Sequence, residues 1–137
     1  MQIKKSRFKK WAHVALSGLM LCALPINKAF SREKETLVPS SEKIGLASWY
    51  GEKFHGRKTA NGDIFSQKKM TCASNHYPLG TWLRITNTRN GKTVIVQVND
   101  RMHPKMKRVV DLSKAAAIEI GIDKSGVGKV KVEDLGK

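Results

Sequence analysis

Two carboxylates and one imidazole stand where small β domains keep reactive groups, at strand ends that open onto loops. Asp100 follows the alternating run Val94, Val96, Val98 and sits inside Asn99-Asp100-Arg101. Asp63 directly follows Asn61-Gly62, a strong turn signal. His76 lies in the polar stretch Ser74-Asn75-His76-Tyr77-Pro78. Groups of these kinds can carry a proton to or from a reacting atom. Each also has a plainer reading. Asp100 can be an ion-pair partner of Arg101 or Arg108, Asp63 a turn residue bonded to its own backbone, and His76 loop packing. His55, His76 and His103 show no metal-ligand spacing, so neither a metal nor another cofactor is expected. Cys72, between Thr71 and Ala73, reads as a small buried side chain rather than a nucleophile.

The elements that must position these groups are short. Ile44–Tyr50 alternates as a strand, with Ile44, Leu46 and Ser48 on one face and Gly45, Ala47 and Trp49 on the other. The clearest pair is Thr81–Asn87 with Lys92–Asn99, joined at Asn90-Gly91 as a hairpin. A loop with His103-Pro104 leads to a short strand at Arg108–Val110, and Gly128–Val132 is the last strand. Between them, Ser113 can cap a helix over Lys114–Ile120 that Gly121 closes. Five or six short strands and one short helix make a small barrel or sandwich with a thin core. Domain boundaries are expected at a leader over 1–31, a flexible tether over 32–43 and one folded domain over 44–135.

The leader reading rests on charge and length. Lys4, Lys5, Arg7, Lys9 and Lys10 precede the apolar run Trp11–Leu24, which Pro25 ends short of the roughly 20 residues of a membrane span. Ala29 and Ser31 suit a signal peptidase. Cys22 raises a lipoprotein leader as the less favoured choice, because Leu21 stands where a small residue is wanted. An exported protein, periplasmic or in the cell envelope, is therefore expected. Of the formal charge of +15, residues 1–31 hold six cations and no acid, which leaves +9 on the rest. In an exported domain that excess reads as attraction to an anionic envelope surface or as charge kept for solubility. A nucleic-acid partner is disfavoured by the leader and by the absence of a recognition motif.

A further pattern is specific. Gly45-Leu46-Ala47-Ser48-Trp49-Tyr50-Gly51, Phe54-His55-Gly56 and Thr59-Ala60-Asn61-Gly62 open it. Pro78-Leu79-Gly80-Thr81, Arg84-Ile85-Thr86-Asn87, Asn90-Gly91-Lys92, Val98-Asn99-Asp100-Arg101 and Asp111-Leu112-Ser113 with Ala115-Ala116 follow in order. Together they resemble the RlpA (rare lipoprotein A) family over about residues 45–133. The resemblance implies a mainly β fold, a small six-stranded double-psi β-barrel with one or two short helices, akin to expansin and barwin domains. It implies an endolytic peptidoglycan lytic transglycosylase that prefers glycan strands stripped of stem peptides and takes part in cell separation. Targeting to the wall is expected to rest on the barrel and its charge, without the C-terminal repeat domain of many relatives. A monomer is expected.

The family's catalytic Asp falls on Asp100, and its Glu after Thr-Ala-Asn-Gly falls on Asp63, one methylene shorter. The family's histidine falls on Ser74; His76 is two residues further on. Tyr50, Asn61, His76, Asn99 and Arg101 are the candidate substrate contacts, and Trp49, Tyr50 and Tyr77 offer flat faces to sugar rings. In such an enzyme the 6-hydroxyl of N-acetylmuramic acid attacks its own anomeric carbon, and one carboxyl can serve as acid and then base. A hydrolase would instead use two carboxyls at a set separation. For Asp100 to donate, its pKa must be raised by desolvation or by a neighbour such as Asp63, and Arg101 is expected to turn away toward Asp111. The shortened acid and the altered histidine keep a second class open, a non-catalytic expansin-like glycan-binding or wall-loosening module.

Overall fold

The computed structural model describes residues 41–137. The leader, its cleavage sites, Cys22 and the tether up to residue 40 lie outside the described residues. Six strands close into a barrel in the order β1-β5-β2-β4-β3-β6. They are β1 (Ser41–Trp49), β2 (Thr71–Ala73), β3 (Trp82–Asn87), β4 (Thr93–Asp100), β5 (Val110–Leu112) and β6 (Val127–Asp134), with one helix, α1 (Lys114–Glu119). The double-psi β-barrel is thus the fold.

Alternation explains the interior. Ala47, Cys72, Leu83, Ile85, Val94, Val96, Val98, Val110, Leu112, Val130 and Val132 point inward and are buried, while Ile44, Leu46, Trp82 and Ile95 face outward. Each fully buried Val, Leu or Ile contributes on the order of 1.5–3 kcal/mol. α1 adds Ala116 and Ala117 to the same core, followed by Ile120 and Ile122. Ser113 caps it as expected, its Oγ accepting from the Ala116 N–H at 3.3 Å, and Gly121 closes it at φ 72°. Close approach fixes one glycine. A Cβ on Gly45 would lie 2.6 Å from Val109 Cγ1.

Several boundaries differ from the sequence reading. β1 starts at Ser41, because Ser41–Lys43 pair with Val132–Asp134, so the strand takes in residues read as tether. The strand expected at Arg108–Val110 lies at Val110–Leu112, where it pairs in parallel with Ala47–Trp49. β2 was not foreseen. It is three residues long, parallel to β4 and antiparallel to β5, and it closes the barrel between strands far away in sequence.

Candidate active site

The site is built on the outer face of four adjacent strands. Core-facing Cys72 pairs with Val98 on one side and Leu112 on the other. The next residue, Ala73, faces away from the barrel interior. On β5 its partner is Asp111, which in turn pairs with Ser48 on β1. On β4 the regular partner would be Asn99, but the register slips by one residue, so Asp100 opposes Ala73. That β-bulge re-aims a side chain as bulges beside active sites do. Ser48, Asp111, Ala73 and Asp100 therefore form one row across β1, β5, β2 and β4. Tyr50, Phe65 and Met102 pack on Ala73, with Phe54 beside them, as a small second core over the row.

Asp100 is held on every side. Its Oδ1 accepts from the Ala60 N–H at 2.9 Å and the Arg101 N–H at 2.8 Å, and its Oδ2 accepts from the Tyr50 hydroxyl at 3.0 Å. Every contact it makes is thus a hydrogen bond it accepts. Tyr50 is suited to donating. Burial first, and then the charges of Asp100 and Asp111, push its phenol far above the ordinary range, so it stays protonated. Its ring is fixed by Phe65 and Phe54, with centroids at 4.5 and 5.5 Å.

Asp63 comes to the same neighbourhood on a loop. Gly62, at φ 92°, allows the sharp turn. The Asn61 N–H donates to the Asn99 carbonyl at 3.2 Å and docks the loop on the bulge. The Asn61 side chain then organises the turn: its Oδ1 accepts from Thr59 Oγ1 at 2.6 Å and from the Asp63 N–H at 3.0 Å, while its Nδ2 donates to Asp63 Oδ2 at 2.9 Å. The Asp63 carboxylate is exposed and tied back to its own turn.

The other candidates are placed differently. Asn99 is 4 % exposed, and its Oδ1 has no partner among the described residues, so it lies inside the bulge rather than on an open surface. Arg101 does turn from the Asp100 carboxylate, but not toward Asp111. Its Nη1 donates to the carbonyls of Ser74 and Tyr77 and staples the 74–77 loop. The peptide carbonyls are nearer partners than a carboxylate two strands away, and Asp111 is already bonded by Ser48 Oγ at 2.7 Å. His76 is exposed in a separate cleft with Ser41, Glu42, Lys43 and Tyr77. Ser74 is fully buried, its hydroxyl donating to the Val109 carbonyl at 2.8 Å and accepting the His76 N–H at 3.1 Å. Tyr77 is buried, and Trp49 is half-buried against the core with Nε1 donating to the Asp123 carbonyl at 3.2 Å.

Sequence reasoning missed Asp111 as a site residue. It lines a cavity of about 320 Å³ with Tyr50, Phe54, Met102 and Met106. Burial pushes its carboxyl above the usual range, opposed by the Ser48 hydrogen bond and the Arg108 guanidinium, which itself bonds Ser48 Oγ at 2.9 Å. Asp111 directly follows the buried Val109-Val110, and that isolated acid beside an apolar pair was the available signal. A larger hollow of about 580 Å³ beside α1 contains neither Asp63 nor Asp100. Among the described residues, no group of three His, Cys, Asp or Glu side chains could hold a metal ion.

This chain is similar in sequence to known proteins over the barrel. The probable endolytic peptidoglycan transglycosylase RlpA of Synechocystis sp. is 52 % identical over 91 residues, covering 66 % of this chain and 28 % of that protein. The endolytic peptidoglycan transglycosylase RlpA of Pseudomonas aeruginosa is 50 % identical over 92 residues, covering 67 % and 27 %. The chain thus spans little more than a quarter of the length of these relatives. Among solved structures, the Streptomyces papain inhibitor matches with a TM-score of 0.57 at 21 % identity, over 70 % of this chain and 96 % of that one. The apo expansin of Clavibacter michiganensis matches at 0.55 and 25 %, over 69 % and 50 %. The model of the family described as lytic transglycolase covers residues 42–132. The chain belongs to that family, within its RlpA group.

Proposed function

We propose that this domain is an endolytic peptidoglycan lytic transglycosylase, exported to the cell envelope and acting on glycan strands without stem peptides. The observation that carries the reading is Asp100, turned outward by a bulge and aimed by the Tyr50 hydroxyl and the Ala60 N–H. The RlpA relatives supply the substrate class.

In its protonated form Asp100 gives its proton to the glycosidic oxygen as the bond from C1 of N-acetylmuramic acid breaks. The departing N-acetylglucosamine leaves with a free 4-hydroxyl. The carboxylate that remains takes the proton of the 6-hydroxyl as that oxygen bonds to C1, which closes the 1,6-anhydro ring and restores the acid. Tyr50 and the two N–H donors hold Asp100 in one orientation through both transfers. Asp63 adds negative charge on the loop that supplies the Ala60 N–H and favours the positive character that develops at C1.

The test is incubation of the purified protein with peptide-free glycan strands and mass analysis of the soluble products. Anhydro-ended fragments support the proposal. Fragments with added water indicate a hydrolase. Binding without fragments selects the expansin-like module, a reading favoured by the engagement of Asp63 with Asn61.

A further inference from the structure

The Tyr50 hydroxyl aims Asp100, and the main chain that carries this tyrosine is held at both ends. Its N–H donates to the Leu112 carbonyl at 2.9 Å, which ties it to β5. Its carbonyl accepts from Gln67 Nε2 at 3.0 Å. Gly51 comes next, exposed, with nothing within 4 Å of where a Cβ would stand. Glycine turns more freely than other residues, so the tilt of the Tyr50–Gly51 peptide depends on the Gln67 amide. Gln67 is itself fixed from two other places. Its Oε1 accepts from the Lys114 N–H at 2.9 Å, and its main-chain carbonyl accepts from the Ala115 N–H at 2.9 Å. These are the first N–H groups of α1, which have no partner inside the helix. Its own N–H donates to His55 Nδ1 at 3.3 Å. Helix donors on one side and a carbonyl acceptor on the other admit a single orientation of the amide, oxygen toward α1 and nitrogen toward Tyr50. Gln67 lines the hollow beside α1, away from Asp63 and Asp100. Its route to the acid runs through Tyr50.

We propose that Gln67 is a positioning residue for the reaction: its amide links the start of α1 to the Tyr50 carbonyl and so keeps the Tyr50 hydroxyl on Asp100. The inference rests on the catalytic reading of Asp100 above and extends it to a residue outside the Asp100 row. A catalytic group must be held within about 0.5 Å and 10–20° of its working geometry. The hydroxyl is the far end of the tyrosine side chain, so a tilt of the main chain is enlarged there. Phe65 and Phe54 limit the swing of the ring, but apolar contact is non-directional. The hydrogen bonds of the Tyr50 peptide groups supply the direction. Glutamate at position 67 separates the two halves of the amide. It keeps an acceptor for the Lys114 N–H, removes the donor to Tyr50 and turns a second oxygen toward the Tyr50 carbonyl. Alanine removes both bonds.

The experiment compares wild type, Q67E, Q67A, Y50F and the doubles Q67E/Y50F and Q67A/Y50F. Three things are measured on each: kcat and KM on peptide-free strands, a thermal melt, and the ¹³C signal of protein labelled at tyrosine Cζ. The chain has two tyrosines, and Y50F assigns their signals. Q67E is expected to lower kcat about three- to fivefold at unchanged KM, less than the roughly tenfold of losing the hydroxyl altogether. It is also expected to move the Tyr50 signal while Tm stays near wild type, because the bond to α1 is kept. Q67A should match it in kcat and melt lower. In the Y50F background neither substitution should lower kcat further, since no hydroxyl remains to be misplaced. An equal fold-loss with and without the hydroxyl would overturn the proposal, because Gln67 would then act elsewhere. A raised KM at constant kcat would overturn it in favour of substrate binding. So would an unchanged Tyr50 signal in both Q67E and Q67A. Should Q67E not fold, Q67A carries the same comparison. A wild type that releases no anhydro-ended fragments sinks the function proposed above, and the Tyr50 signal then decides whether Gln67 holds the tyrosine.

Discussion

Replacing Asp100 by Asn separates chemistry from architecture, because the amide can keep almost every contact of the acid. Its carbonyl oxygen can take the place of Oδ1 and accept from the N–H groups of Ala60 and Arg101, now 2.9 and 2.8 Å away. Its NH2 would stand at the position of Oδ2, 3.0 Å from the Tyr50 hydroxyl, which can accept as well as donate. The folded state thus exchanges three charge-assisted hydrogen bonds for neutral ones. Hydrogen bonds to charged groups exceed neutral ones by about 1 kcal/mol. Asp100 is part-exposed, so water recovers much of that difference, and a total loss of about 1–2 kcal/mol is expected. For a domain of this size that lowers Tm by on the order of 10 °C. In the proposed mechanism both proton transfers are then lost. Loss of a general acid/base costs about 10²–10⁴-fold, equivalent to about 2.7–5.5 kcal/mol of barrier. The assay follows release of anhydro-ended fragments from peptide-free strands, alongside a thermal melt of the same preparation. Near-wild-type turnover would remove Asp100 from the mechanism, and a variant that does not fold would make it a structural residue.

Tyr50→Phe keeps the ring against Phe65 and Phe54 but removes the donor to Asp100; turnover should fall about tenfold with a nearly unchanged melt, measured as kcat on the same strands. Asp63→Glu reaches about one carbon–carbon bond further than a carboxylate now tied to Asn61, so the rate should rise on the order of threefold or more, whereas Asp63→Ala should slow it. Equal rates for wild type and both variants would return Asp63 to a turn role. The part-buried Asp111 carboxyl has a folded-state pKa above its ordinary 3.8, so between the two values the folded state holds the extra proton. Stability should therefore decline as pH rises from about 4 through the folded-state value, and urea melts of D111N should lack that slope.

The sequence alone determined what local pattern can determine. The hairpin of β3 and β4 was legible because alternation flanks Asn90-Gly91, and α1 because Ser113 and Gly121 bracket three alanines. Asp100 was legible as the acid that ends an apolar strand. The tertiary structure decided the rest. β2 is three residues with no periodicity of their own, and it is a strand only because β4 and β5 supply its partners. The outward turn of Asp100 depends on a register slip between Val98 and Asp100 against Cys72 and Ala73, about 26 positions earlier, and no window of sequence contains both strands. Arg101 was expected to turn toward Asp111 and instead bonds the carbonyls of Ser74 and Tyr77. The true neighbours of Asp111, Ser48 and Ala73, come from β1 and β2. Side-chain periodicity is a property of a single strand, but which residues share a face across four strands is set by pairing between distant segments, and that appears only when the barrel closes.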